Sequence, residues 1–155
     1  MTPIEKVTDK FIKKIKQDVE YFLYDNISEE DTLEIINERT NDLFEMACDE
    51  LESQLDQIDF NDITDTDFNI DLTRTEIDTI SDMMKYKYME EHLVRLRKFQ
   101  TYLGKDINAW SPGNDRKTYL ELMNDIRMSM EAKIDRCNSI DRETGKRRSY
   151  INDSQ

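Results

Sequence analysis

The segment DTDFNIDLTRTE, residues 65–76, has oxygen-bearing side chains at the spacing of a calcium loop. An EF-hand loop places its ligands at positions 1, 3, 5, 7, 9 and 12, and a glycine at position 6 allows a sharp turn. The ligand positions are filled here by Asp65, Asp67, Asn69, Asp71, Thr73 and Glu76. The sixth position, however, is Ile70. A β-branched side chain opposes the positive φ that such a turn requires.

The end of this segment has a second explanation, the start of a helix. Thr73 and Glu76 have the spacing of a capping box, in which each side chain bonds the backbone N–H of the other residue. The preceding DFNDIT has no apolar stripe at helical spacing, so the first helix of an EF-hand is missing. We therefore favour the capping box and keep calcium binding as the alternative.

The remaining residues with reactive or metal-binding side chains do not form a recognisable site. His92 is the only histidine, and Cys48 and Cys137 are the only cysteines. A zinc site would need these three residues to converge without any closely spaced ligand pair. The sequence also has no glycine-rich phosphate loop and no catalytic constellation, so it predicts no enzyme, no cofactor and no metal. Two lone thiols favour a reducing cytoplasm over a disulfide framework.

Composition predicts an all-α protein. Glycine occurs 3 times and proline twice, too rarely for an all-β fold with many turns. Charged and hydrophobic residues each make up 37%, which suits helices with one buried and one solvated side. No apolar run approaches the length of a membrane span. We expect one bundle domain of about four helices at residues 1–138 and a polar, basic, extended tail at 139–155.

Apolar periodicity and capping signals place the four helices. The first is predicted to start with Thr2 as N-cap, Pro3 as first helical residue and Glu5 completing a capping box. Its apolar stripe continues to Leu23. The other helices are predicted at residues 28–58, 73–103 and 111–137. The second pattern weakens at NERTND, which leaves open one kinked helix or two short ones.

Residues 59–72 interrupt the helical pattern. Phe68, Ile70 and Leu72 alternate with polar residues, as in a short strand. The sequence leaves open whether this segment is an irregular loop or a small hairpin.

Charge is distributed unevenly along the chain. The formal charge is 22 − 35 = −13, and residues 21–82 hold 20 acids against two bases, a net of −18. Residues 83–103 hold five bases against two acids, and RETGKRRSY near the end is locally basic. A chain this acidic is not expected to grip nucleic acid. Such segregation is typical of a solvated surface, or of one that repels or imitates DNA and meets basic patches on neighbouring copies or partners.

Two stretches carry a resemblance to a known family. FNIDLTRTEIDTISDMMKYKYMEEHLVRL, followed after a short linker by SPGNDRKTYLELMNDI, resembles the small neck, or head–tail connector, proteins of tailed bacteriophages. The similar region spans roughly residues 68–126. The resemblance implies a structural virion protein, assembled in the host cytoplasm, that forms a homo-oligomeric ring on the portal vertex. It would line the channel through which DNA passes without specific binding.

The resemblance also implies partners, the portal protein and a tail or second neck protein. We expect the polar tail to become ordered by docking on a partner. The residues predicted to make that contact are Arg142, Lys146, Arg147, Arg148 and Tyr150. Trp110, in a loop, is an interface candidate that could instead cap the end of the bundle.

A second function is compatible with the same charge distribution. An acidic protein that imitates DNA could inhibit a host nucleic-acid-binding protein. This hypothesis predicts a monomer or dimer and salt-sensitive binding to a basic partner.

Overall fold

The computed structural model of the chain describes residues 1–15, 29–103 and 112–148, and the predicted all-α bundle of about four helices is confirmed. In these ranges the helices are α1 (Ile4–Lys14), α2 (Glu29–Glu52), α3 (Arg74–Leu103) and α4 (Pro112–Asn138). Two strands of two residues each, β1 (Thr2–Pro3) and β2 (Asp67–Phe68), pair in antiparallel orientation.

Helix α3 forms the centre of the bundle and packs against α1, α2 and α4. A helix surrounded in this way buries side chains on several sides rather than along one stripe. The apolar residues that α3 buries are Ile80, Met83, Met84, Tyr88, Met89 and Leu93. Tyr88 meets Phe11 of α1 edge to face, with ring centroids 6.2 Å apart. The sequence-based inward stripe of this helix is therefore correct at these positions.

Helix α2 is a single helix that continues through NERTND, which settles the alternative of two short helices. Its buried residues, Leu43, Phe44, Ala47, Cys48 and Leu51, lie along one side. Leu55 and Ile58 follow the end of the helix and are also buried. The predicted apolar pattern thus extends beyond the helix into a turn that covers the core.

The predicted N-cap of the first helix is wrong. Pro3, not Thr2, is the N-cap of α1, and no side chain bonds to that helix start. Thr2 belongs to β1, and its buried hydroxyl accepts a hydrogen bond of 2.8 Å from the Leu72 N–H. The predicted capping box does not form because the backbone of Thr2 and Pro3 pairs with β2, which is distant in sequence.

Residues 59–72 contain a tight turn at 63–68 and do not form a complete hairpin. Ile63 bridges to Phe68, and the Thr64 N–H donates to the carbonyl oxygen of Asp67 at 2.9 Å. The strand partner of Asp67 and Phe68 is β1. The Phe68 side chain is buried against Phe44, with ring centroids 5.8 Å apart. This contact attaches the turn to α2.

Several predicted helix ends lie outside the described residues. Helix α1 ends at Lys14, whereas its apolar pattern continues to Leu23. Residues 16–28, 104–111 and 149–155 lie outside the described ranges, and they include the expected caps Ser28 and Ser111.

Candidate interaction surfaces

The end of segment 65–76, the candidate calcium loop, is the start of α3. The Thr73 N–H donates to Glu76 Oε2 at 2.6 Å, and the Glu76 N–H donates to Thr73 Oγ1 at 3.3 Å. This reciprocal pair is the predicted capping box, which is confirmed. Glu76 Oε1 accepts a hydrogen bond from the Arg142 guanidinium. Both carboxylate oxygens of Glu76 therefore have partners within the chain.

The rest of the segment lacks the sharp turn of an EF-hand. Across the described ranges no residue other than glycine has a positive φ, so Ile70 does not adopt the required conformation. Asp67 lies in β2, and the Asn69 amide donates to Asp62 Oδ1 at 2.6 Å. No group of three or more His, Cys, Asp or Glu side chains in these ranges is arranged to hold a metal ion. The geometry supports a helix start and gives calcium binding no support.

The two cysteines and the histidine occupy structural positions. Burial raises the pKa of the Cys48 thiol to about 12, and burial likewise raises the pKa of Cys137. A thiol with a raised pKa is a poor nucleophile near neutral pH, because the thiolate is the reactive form. His92 is half-buried, with its ring centroid 4.5 Å from that of Tyr88.

The first ten residues of the predicted tail, 139–148, form a compact hairpin instead of an extended segment. The Arg148 N–H donates to the carbonyl oxygen of Ser139 at 2.8 Å. Gly145 adopts φ +65° in the turn, a conformation that glycine reaches without a Cβ clash. We call residues 139–148 the C-terminal hairpin.

Gln57 attaches the C-terminal hairpin to the bundle. Its amide nitrogen donates to the carbonyl oxygens of Cys137, at 2.9 Å, and Ile140, at 2.7 Å. Its amide oxygen accepts from the Arg142 N–H at 2.9 Å. The side chain thus satisfies backbone groups where α4 ends and the hairpin begins.

Two of the predicted docking residues contact their own chain. The Arg142 guanidinium pairs with Glu76 and the Arg148 guanidinium pairs with Asp56. These pairs join residues 66 and 92 positions apart in sequence. The two arginines therefore stabilise the folded hairpin, and their docking on a partner stays a prediction.

Of the other three predicted docking residues, the structure describes Lys146 and Arg147 but not Tyr150. Lys146 and Arg147 are exposed on the hairpin and available to a partner. Tyr150 and the interface candidate Trp110 lie outside the described residues.

A cluster of three lysines and two aspartates joins three helices, and the sequence analysis missed it. Asp78 of α3 pairs with Lys10 at 2.7 Å and Lys14 at 3.0 Å, both from α1. Lys133 of α4 pairs with Asp78 and, at 2.5 Å, with Asp82. Lys14 also pairs with Asp82. The sequence did contain a signal for this cluster. Lys10 and Lys14 of α1 are four residues apart, as are Asp78 and Asp82 of α3, and this spacing puts each pair on one face of its helix.

The ion pairs of this cluster shift the pKa of two of its members, Asp78 and Lys133. Partial burial by itself would raise the pKa of Asp78, but hydrogen bonds from Lys10, Lys133 and Lys14 outweigh it and hold the pKa well below its ordinary value. For Lys133 burial acts to lower the pKa, and the bonds to Asp78 and Asp82 outweigh it and raise the pKa. Asp78 and Lys133 are therefore both charged near neutral pH.

Beside this cluster lies a groove with a basic rim. The groove has a volume of about 550 Å³ and lies between α1, the start of α3 and the end of α4. Its basic lining residues are Lys10, Arg74, Lys133 and Arg136, and we call it the basic groove. Arg74 and Arg136 are exposed and form no ion pair with any residue in ranges 1–15, 29–103 and 112–148. Two guanidinium groups are thus free to meet an acidic partner.

The opposite charge is concentrated on the exposed side of α2. Eight acidic side chains fall within about 120° of the helix circumference at about 100° per residue. This acidic face consists of Glu30, Asp31, Glu34, Glu38, Asp42, Glu45, Asp49 and Glu52. Glu34, Glu38 and Asp42 are exposed and form no ion pair within the described part of the chain. Arg39 pairs with Glu91 and Lys87 pairs with Glu50, and neither glutamate belongs to this face.

Comparison with protein-family models, curated proteins and solved structures finds no match to this chain. None of the helices in the described ranges has both the length and the apolar character needed to cross a membrane.

Proposed function

We propose that this chain is a non-enzymatic structural protein of a virion, a neck adaptor between the portal and the tail of a tailed bacteriophage. Copies would form a ring on the portal vertex. The observation that carries this proposal is the separation, in one folded molecule, of the acidic face of α2 from the basic groove. The resemblance of residues 68–126 to neck proteins supplies the biological setting. The proposal assigns no catalytic residue and no cofactor.

An acidic face suits a wall past which DNA must move. Carboxylates and phosphates repel each other over about one Debye length, about 8 Å at physiological ionic strength. Seven members of the face, from Glu30 to Asp49, cover about 28 Å of helix at about 1.5 Å per residue. DNA in a channel lined by this face would slide without adhering to the protein.

The exposed bases of the C-terminal hairpin suit a contact with an acidic patch on the portal or tail. Lys146 and Arg147 are exposed, while Arg142 and Arg148 fix the hairpin to its own bundle. Deleting the whole hairpin would remove these internal contacts together with the exposed bases. Replacing only Lys146 and Arg147 by glutamate tests docking with the internal contacts intact.

The test measures attachment of tails to filled heads in phage particles that carry K146E/R147E. We expect fewer complete particles than with K117E/R127E, a control that reverses two exposed bases on α4 and so has the same net charge. Tail attachment at the control level refutes docking through the hairpin. Imaging of particles that shows no copies of the chain around the DNA channel refutes the adaptor proposal itself.

The acidic face also favours the second candidate, a DNA mimic that inhibits a basic nucleic-acid-binding protein. A row of carboxylates along one helix can replace phosphates as a partner for lysine and arginine. This function requires a monomer or dimer that binds a DNA-binding protein in competition with DNA. Sedimentation with and without portal protein separates the candidates, because only the adaptor forms a larger assembly with portal.

A further inference from the structure

Within the described part of the chain, each charged surface has exposed side chains that form no ion pair. The cluster and the basic groove together hold five bases and two acids, which leaves three positive charges: Lys10, Lys14, Lys133, Arg74, Arg136, Asp78 and Asp82. At the centre of the acidic face, Glu34, Glu38 and Asp42 form no ion pair with residues 1–15, 29–103 or 112–148. Each surface has the charge that the other needs.

The two surfaces cannot neutralise each other within one molecule. Residues of α1, α3 and α4 line the basic groove, and no residue of α2 does. The acidic face lies on the exposed side of α2, away from the side that buries Leu43, Ala47 and Leu51 in the core. A contact between face and groove therefore requires two molecules.

The shape of the basic groove suits the side chains of a helix. Besides the four bases and Asp78, the groove is lined by Thr75, Ser129 and Ala132, which are all small. Its volume of about 550 Å³ leaves space above them for several long side chains. Glutamates on successive turns, such as Glu34 and Glu38, are about 6 Å apart along the helix and can enter together.

We infer that the part of the acidic face that holds Glu34, Glu38 and Asp42 binds in the basic groove of the next copy, in a head-to-tail contact between identical chains. Glu45, Asp49 and Glu52, on the later turns of α2, lie outside this contact and stay free to line the channel. This inference deepens the proposed ring and rests on it for its biological setting. A contact between two different surfaces is heterologous, so each copy keeps one free surface and further copies can add until a ring closes.

The test compares two charge-reversed proteins, R74E/R136E and E34K/E38K. These four residues are exposed and form no ion pair in the described part of the chain, so their replacement leaves the internal contacts intact. Unchanged circular dichroism and thermal unfolding confirm that each variant is folded. K117E/R127E, with both changes outside the groove, has the same net charge as R74E/R136E and is its control; it also removes the exposed pairs of Lys117 with Glu121 and of Arg127 with Glu131.

Light scattering and sedimentation then measure assembly. We expect wild-type and control to associate, with weaker association when salt rises from about 0.05 M to about 0.5 M. Each charge-reversed variant alone should associate at least about tenfold more weakly, and an equimolar mixture of the two should recover assembly, because opposite charges again face each other.

Three outcomes overturn the inference. Charge-reversed variants that assemble like the wild type show that the contact lies elsewhere. A wild-type chain that stays monomeric while binding portal protein overturns the self-contact and leaves the adaptor function standing. Binding of a short DNA duplex by the groove, lost in R74E/R136E and without self-assembly, assigns the groove to nucleic acid. Self-assembly that depends on both surfaces, in a chain absent from the neck of the particle, instead refutes the adaptor function alone.

Discussion

Glu76 supports two parts of the fold, and its replacement gives the sharpest test of the contacts around it. One carboxylate oxygen accepts from the Thr73 N–H at the start of α3, and the other accepts from Arg142 of the C-terminal hairpin. The Glu76 side chain is 7% exposed and that of Arg142 is 24% exposed. The pair is thus largely shielded from water, and neither partner can be removed without effect.

The expected cost follows from these two contacts. Loss of a helix cap costs about 1 kcal/mol. Removing one member of a fully buried ion pair costs about 3–5 kcal/mol, and removing one member of an exposed pair costs less than about 1 kcal/mol. Because Arg142 is partly exposed, we expect the loss of its pair with Glu76 to cost about 2 kcal/mol. We expect E76A to lower the free energy of unfolding by about 3 kcal/mol, and E76Q by about 2 kcal/mol because glutamine still fits a capping box.

Urea unfolding followed by circular dichroism measures these values for the wild type, E76A, R142A and the double variant. The double-mutant cycle should give a coupling energy between about 1 and 2 kcal/mol. A coupling energy near zero, or an E76Q protein as stable as the wild type, would contradict the ion pair as a stabilising contact.

The same variant tests the calcium alternative. Glu76 occupies position 12 of the candidate calcium loop, and in an EF-hand the residue at this position is the bidentate ligand. Ligand binding to the folded state raises the unfolding temperature. We expect millimolar calcium to leave the unfolding temperature of both wild type and E76Q unchanged. A rise in the wild type that is absent in E76Q would restore the calcium loop.

Three further predictions concern individual side chains. Because the folded-state pKa of Asp78 is lowered, its stabilisation is present at neutral pH and is lost as pH falls below its ordinary value of 3.8. D78N should cost about 2 kcal/mol at pH 7 and flatten the loss of stability in acid, as measured by urea unfolding across pH. With a pKa raised to about 12, Cys48 should react with iodoacetamide at pH 8 only after unfolding in urea, as read by mass spectrometry. T2V should lower the free energy of unfolding in urea by about 1–2 kcal/mol, because valine leaves the Leu72 N–H without its acceptor. If Thr2 were only a cap of the first helix, this substitution would not affect that N–H.

Local signals predicted the helices well where nothing distant competed with them. The capping box of Thr73 and Glu76 forms as the spacing predicts, and α3 begins at Arg74, directly after Thr73. The similar signal at Thr2 and Glu5 failed, because β2 pairs with the residues that would form that cap. A capping box depends on residues three apart, whereas strand pairing with a distant segment cannot be inferred from either segment alone.

The sequence by itself determined the helical class, most of the core and the acidic character of α2, because apolar period, caps and composition are local properties. Only the tertiary structure decided that residues 139–148 fold back, since their anchors Gln57 and Glu76 lie far earlier in the chain. It also decided that Lys10, Arg74 and Arg136, from three helices, share one groove. Charge can be counted along a chain, but which charges meet depends on how the helices pack.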